Sequence, residues 1–328
     1  MEHAIEAVSL VKTYPKGVTA LDGLSFAVAP GRVFALLGPN GAGKSTAVKI
    51  LTTLAKPDAG RAIVGRLDVV ANPDSVRRLI GVVAQGSAVD IQATGRENLR
   101  LQGQIHERWG PARRPRRRAI EERAQELLER FGLADAADRI ARGYSGGMQR
   151  RLDIAMALMH DPAVLFLDEP TAGLDPEVRA GMWAEISRLA AERGKTVLLT
   201  THYLEEADQL AERIAIVDRG QVVAEGTPEE LKRELRGDAI HVDLEADYNG
   251  VVSRALAGVP AIRDIAIDGR SLRARADDGG RAVPTVLAAL ESHGVAVSSV
   301  RVARPSLDDV YLKYTGRTFD AAEAEATP

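Results

Sequence analysis

A lysine set behind glycines and followed by two hydroxyl residues is suited to holding a phosphate. Gly38-Pro39-Asn40-Gly41-Ala42-Gly43-Lys44-Ser45-Thr46 lies between the apolar run Val33-Phe34-Ala35-Leu36-Leu37 and a helix-like stretch over residues 47–54. The spacing is G-x-x-x-x-G-K-[ST], a P-loop in its strand–loop–helix setting. Glycines let successive backbone N–H groups converge on a phosphate without Cβ obstruction, and the helix behind presents its positive end. In such a loop Lys44 reaches the β- and γ-phosphates and the Ser45 hydroxyl ligates Mg²⁺. A dinucleotide fingerprint, G-x-G-x-x-G, has no use for a lysine there. An ordinary glycine-rich turn needs neither the lysine nor the strand before it. The stretch is read as a nucleoside triphosphate site.

Two other stretches could serve the same phosphates. Asp168 ends the apolar residues 163–167, where a Walker-B aspartate holds Mg²⁺ beside a P-loop. In another setting it would merely cap the next element. Glu169 follows directly, and two adjacent carboxylates repel each other. The pair makes sense if Glu169 orients and deprotonates a water for attack on the γ-phosphate. Ser145-Gly146-Gly147 opens a helix and offers a second anion-binding N-terminus. Alone, the triplet is equally a helix cap. One Walker lysine with two phosphate-seeking helix ends points to a shared site.

These side chains need a frame. Strands are predicted over 5–11, 18–28, 61–64, 80–84, 163–167, 196–200, 213–218 and 222–224. A helix opens at Asn72-Pro73, another at the capping box Thr94…Glu97, and a long one spans 116–131 up to Gly132. Further helices start at Ser145, at Asp175-Pro176 (running to 193), at Tyr203 and at the Thr227 capping box. Apolar strands alternating with helices predict an α/β fold, a parallel sheet covered on both faces. Beyond Gly237 the pattern changes. Strands over 240–244, 262–267, 272–276 and 295–302, with helices over 251–256 and 283–293, give the order βαββαβ of a small ferredoxin-like α+β domain at 237–304. Residues 305–328 read as a short amphipathic helix, 306–314, and then a frayed, disordered tail.

Composition sets bounds. A chain of 328 residues, 45% of them hydrophobic, is long enough for two domains. A net charge of −3 gives no global attraction to nucleic acid, and no specific nucleic-acid partner is expected. The absence of cysteine excludes disulfides, thiolate zinc sites and a cysteine nucleophile. Met1-Glu2-His3-Ala4 lacks the features of a signal peptide, and no apolar stretch approaches the ~18 residues of a membrane span. The expectation is a soluble chain that would need a partner for any membrane work.

Gly38–Thr46, Gln85, Tyr144-Ser145-Gly146-Gly147-Met148-Gln149, Leu165–Pro170, Gly173-Leu174-Asp175-Pro176 and His202 stand in the order of the Walker A, Q-loop, signature, Walker B, D-loop and H-loop motifs. Over about residues 4–232 the chain resembles an ATP-binding-cassette ATPase. More narrowly it resembles the daunorubicin/doxorubicin-resistance ATP-binding proteins of drug exporters, through YSGGMQRRLDIAMAL, TGRENL and RPSLDDVYLKYTGR. Met148 replaces the usual glutamine and Tyr144 the usual leucine; the anion-binding serine and glycines are intact.

The resemblance implies a P-loop NTPase cassette over 1–236, with a RecA-like parallel core, an antiparallel β subdomain and a helical subdomain at about 86–160. It implies ATP with Mg²⁺, the metal held by Ser45, Asp168 and Gln85. Two copies would pair head to tail, so that each γ-phosphate meets Lys44 of one and Ser145 and Gly147 of the other. Tyr14 would stack on adenine, although an aromatic ending an edge strand is the plain alternative. Gln85 would sense the metal or the water, His202 would hydrogen-bond the γ-phosphate, and Asp175 would link the two sites.

By the same resemblance the partners are a second cassette and a separate transmembrane permease, on the cytoplasmic face of the membrane. The basic run Arg108, Arg113, Arg114, Arg116, Arg117, Arg118 suits anionic lipid or an acidic permease loop, and equally a solvated loop and helix start. Cassette ATPases acting on DNA or ribosomes are the alternative class. They are disfavoured by the lack of coiled-coil or zinc-cysteine insertions and of a second set of motifs. A scaffold without turnover is disfavoured by Glu169 and His202.

Overall fold

The computed structural model describes residues 3–15, 17–109, 117–248 and 250–326. It forms two compact units, Met1–Val222 and Val223–Pro328. The division falls before Gly237 because the helix Pro228–Arg233 packs on the helix Leu307–Thr315 of the second unit. The Tyr314 hydroxyl also donates to Glu234 at 2.6 Å.

In the first unit the sheet strands 213–218, 33–37, 196–201, 164–168 and 80–83 lie side by side in that order. Val33–Leu37 pairs in parallel with Thr196–Thr201 and Arg213–Asp218, and Val164–Asp168 with Thr196–Thr201 and Ile80–Val83. The three central strands are buried along their whole length, which accounts for their unbroken apolar runs. A four-stranded antiparallel sheet, Val18–Val28, Ile5–Tyr14, Ala59–Val64 and Leu67–Asp68, shares their core through Leu10, Leu21, Leu24, Phe34, Ile50 and Phe166. Its Ile5 strand reaches Tyr14, past the expected end at 11, by absorbing register shifts near Ser9, whose φ is 49°. Helices Gly95–Trp109, Arg117–Arg130 and Gly146–Ala157 make the helical part. Arg117 and Arg118 begin the second of these, and Arg118 pairs with Glu122. Arg113, Arg114 and Arg116 of the basic run lie outside the described residues.

Register fixes the site. Leu37 lies opposite Thr201, Asp168 opposite Thr200, and Val83 opposite Leu167. The turns leaving four adjacent parallel strands therefore open on one edge, where ligands of open α/β sheets bind.

The second unit has strands Asp238–Leu244, Arg263–Asp268, Ser271–Ala276 and Val297–Ala303 with helices Val251–Leu256 and Gly279–Ser292. Its sheet is antiparallel, in the order 263–268, 271–276, 238–244, 297–303. The C-terminal stretch corrects the expectation of a frayed tail, because Phe319–Ala326 is a helix. The Thr318 hydroxyl caps it by accepting the Ala321 N–H at 3.2 Å. Phe319 is buried with its ring edge-on to Tyr311 at 5.0 Å. A stretch of Ala and Glu reads as polar filler, but alanine and glutamate are good helix formers once one aromatic anchors the turn.

Candidate active site

The loop at 38–46 is pressed from two sides. Gly43 caps the helix Lys44–Leu51 at φ 106°, and a Cβ there would lie 2.4 Å from the Ala20 carbonyl oxygen. A Cβ on Gly38 would lie 2.2 Å from the Val217 oxygen. Pro39, Asn40, Gly41 and Ala42 form the arc between, and Ala42 accepts the Gly220 N–H at 2.9 Å. Lys44 is buried beneath the arc, and its Nζ donates to the Gly38 and Pro39 carbonyls at 2.6 and 3.0 Å. Ser45 and Thr46 follow half-buried on the first helical turn.

Across from the loop, Asp168 Oδ1 accepts the Ser45 hydroxyl at 3.0 Å and the Thr200 hydroxyl at 2.6 Å. Glu169 is buried and stands at φ 49°, a left-handed conformation that strains a residue with a side chain. Three elements face its carboxylate. Lys44 Nζ lies 3.9 Å from Oε1, the Gln85 amide donates to Oε2 at 3.3 Å, and His202 Nδ1 lies 3.4 Å from Oε1. The last is at the outer limit of hydrogen-bond distance, and Nδ1 has no better acceptor among the described residues. The His202 contact holds the Glu169 carboxyl below the usual carboxylate range. Burial works against it, and Lys44 and Gln85 reinforce the depression. Such a carboxylate is ionised near neutrality, surrounded by donors, and able to take a proton from a water.

Sequence reading missed two residues that shape this turn. Thr200 Oγ1 accepts the Glu169 N–H at 3.0 Å while donating to Asp168, so one hydroxyl spaces both carboxylates. Arg150 sends its guanidinium to four carbonyls: Ala84 at 2.7 Å, Asp168 and Glu169 at 2.9 Å each, and Pro170 at 2.8 Å. It thereby ties the signature helix to the residue before Gln85 and to the strained turn. The available signal was an arginine three residues before Asp153, ahead of the apolar second half of the helix. Arg150→Met removes every one of these donors. Steady-state hydrolysis is expected to fall about ten- to a hundredfold through misplacement of Glu169, with the melting temperature down by about 5 °C. Unchanged turnover would reduce Arg150 to packing.

The remaining candidates lie on two other elements. Ser145 and Gly146 are exposed at the start of the helix Gly146–Ala157, and the Ser145 hydroxyl accepts the Met148 N–H at 3.3 Å. Gly147 is buried, and a Cβ there would lie 2.5 Å from Val178 Cγ1. Tyr144 fits its leucine-like position because its hydroxyl reaches the Ala136 carbonyl at 2.7 Å. Met148 accepts a contact from Arg139 at 3.6 Å. Exposed Asp175 caps the helix Pro176–Arg193 through the Val178 N–H at 3.0 Å. Tyr14 ends its strand half-buried beside Lys12, paired with Val18 of the strand whose Ala20 abuts Gly43. Lys44, Ser45, Gln85, Asp168, Glu169 and His202 thus form one linked group, whereas the side chains of Ser145 and Asp175 cap their own helices.

Residues 21–172 match the ABC transporter family model, and residues 226–315 match the model for the C-terminal domain of DrrA1-3-like ATP-binding proteins. The chain is 49% identical over 306 residues to the daunorubicin resistance ATP-binding protein DrrA3 of Streptomyces coeruleorubidus, covering 93% of this chain and 94% of that protein. It is 46% identical over 327 residues to the daunorubicin/doxorubicin resistance ATP-binding protein DrrA of Streptomyces peucetius, covering 98% and 95%. A solved ATP-binding cassette, described as a dimer in a post-hydrolysis state with ADP and Pi, superposes with a TM-score of 0.61. It shares 29% identity and covers 68% of this chain and 98% of its own. The phosphate loop, the strained carboxylate turn and these near-full-length likenesses agree: the chain belongs to the ATP-hydrolysing ABC transporter ATP-binding proteins of the daunorubicin/doxorubicin-resistance family.

Proposed function

We propose that the chain energises export of a drug-like compound through a separate membrane permease by ATP-driven pairing of two copies. The observation that carries the export reading is the likeness to daunorubicin-resistance ATP-binding proteins over 93–98% of the chain. The meeting of Lys44, Gln85 and His202 around Glu169 at the mouth of the phosphate loop supports the hydrolysis that drives it. The loop N–H groups of residues 40–46 and Lys44 bind the β- and γ-phosphates, Lys44 exchanging its own loop carbonyls for phosphate oxygens. Tyr14 stacks on the base. Glu169 orients a water in line with the γ-phosphate and accepts its proton, while Gln85 positions the same water. His202 donates to the γ-phosphate and keeps the Glu169 carboxyl ionised.

Ser45 and Asp168, already 3.0 Å apart, with Gln85 beside Glu169, are hard donors of the kind Mg²⁺ takes from proteins. These residues would hold the ion, which supplies charge neutralisation on the phosphates when bound. Ser145, Gly146 and Gly147 of one copy face the γ-phosphate of the other, and Asp175 connects the two sites.

No described helix is long and apolar enough to cross a membrane, so in this reading the chain works at the inner face through its permease. The test is co-expression with a candidate multi-span protein and ATP-driven daunorubicin uptake into inverted vesicles. Expected are copurification of the two proteins and uptake that Glu169→Gln abolishes. Purification with ribosomes or DNA and no vesicle uptake would favour the alternative class.

A further inference from the structure

The second unit holds a cavity of mixed lining that the hydrolytic reading does not use. Helices Val251–Leu256 and Gly279–Ser292 cover one face of its sheet with an apolar cluster that includes Ile240, Val242, Leu272, Val286 and Leu290. Register sets His241 opposite Arg273 and Ala239 opposite Arg275, alternating with those residues and hence on the other face.

Two arginines there are incompletely satisfied. Arg275 is 6% exposed, and its Nη2 donates to the Arg236 and Gly237 carbonyls at 2.6 and 3.2 Å. Its buried Nη1 has no acceptor among the described residues. Its Nε lies 3.8 Å from Asp264, a carboxylate 64% exposed to water. Arg273 pairs with Asp308, yet its buried Nε also lacks an acceptor among the described residues. Burial pulls the Arg275 pKa down, in keeping with an under-compensated cation. Idle donors on a buried guanidinium are costly.

Both arginines line a cavity of about 250 Å³ with Lys313 and the apolar side chains of Leu235, Ile265 and Leu312. Asp309 also borders it, but its Oδ2 is occupied by the Ser306 N–H and hydroxyl, each at 2.8 Å. Asp264 lines the cavity too, and Lys313 also lies 3.9 Å from Glu234. What sets the space apart is the two guanidinium donors, Arg275 Nη1 and Arg273 Nε, that these carboxylates leave without an acceptor among the described residues, beside an apolar wall. We propose that this cavity binds a small organic anion, a carboxylate on a short apolar body. Arg273, Arg275 and Lys313 take the carboxylate by charge-assisted hydrogen bonds. The apolar body lies against Leu235, Ile265 and Leu312. The volume is below the roughly 300–1,000 Å³ of drug-sized ligand pockets, so the ligand is smaller than such molecules. The inference does not rest on the exporter reading.

The test titrates the full chain, with its phosphate loop saturated by ADP, with benzoate, benzamide and inorganic phosphate in a calorimeter. Benzoate is expected to bind one per chain, with benzamide and phosphate each weaker by about tenfold or more. Lys313→Gln, a half-exposed site, is expected to weaken benzoate by about threefold or more with unchanged circular dichroism. Arg275→Gln, which keeps a donor, is expected to weaken it about tenfold. No heat from benzoate at about 10 mM, or equal binding by Lys313→Gln, overturns the site. Phosphate binding as tightly as benzoate overturns the organic anion. Should Arg275→Gln fail to fold, the wild-type and Lys313→Gln titrations still decide.

Discussion

Glu169→Gln is expected to cut steady-state ATP hydrolysis about a thousandfold while leaving ATP affinity within about twofold and accumulating an ATP-bound dimer. The substitution is nearly isosteric, and the amide still fills the space between Gln85, Lys44 and His202. Glutamine meets the same strain at φ 49° as glutamate, so the turn should keep its shape. What is lost is the ability to accept a proton. The pH dependence follows from the same contacts. The depressed pKa keeps the wild-type carboxylate ionised to lower pH than an ordinary glutamate, so the acid limb of hydrolysis lies below the usual carboxylate range. Removing the ring in His202→Ala raises that pKa and moves the limb to higher pH. Single-turnover hydrolysis and nucleotide binding measured side by side check the first claim. Near-normal turnover by Glu169→Gln would remove it from the role of base.

The parts of this site that could be read from sequence are those whose chemistry is written locally. Gly43 and Lys44 act through neighbours in the chain, and Asp168 declares itself by ending a buried strand. The buried central strands were legible from their unbroken apolar runs. Arg150 was hidden because its acceptors lie in two other segments, one of them at Ala84 across the Q-loop. A guanidinium following the signature looks like surface charge until the fold brings carbonyls to it. Thr200 was hidden for a related reason, since a hydroxyl at the end of a buried strand is common and its two partners are tertiary. The C-terminal helix was missed because its anchoring contacts, Phe319 on Tyr311 and the Phe319 N–H on Asp308, depend on the register of another helix.

Gly146→Asp is expected to abolish ATP-dependent pairing and lower hydrolysis by about a hundredfold or more, with the melting temperature shifted by less than about 2 °C. A Cβ at Gly146 meets nothing within 4 Å, so the isolated chain should fold as before. The neighbouring glycine is no substitute for the test, because a Cβ at Gly147 would push into Val178 and confound folding with function. An aspartate at 146 sets a negative charge on the helix end that is to meet the other copy's γ-phosphate, and like charges repel. If each pocket is composite, two inactive variants must rescue each other. In a mixed dimer of Lys44→Met with Gly146→Asp, one pocket carries both defects and the other carries neither. With random pairing, half the dimers are mixed and one pocket in each is intact, so activity should recover to about a quarter of wild type. A monomer that hydrolyses alone yields no recovery at any mixing ratio, and its rate per molecule does not change on dilution.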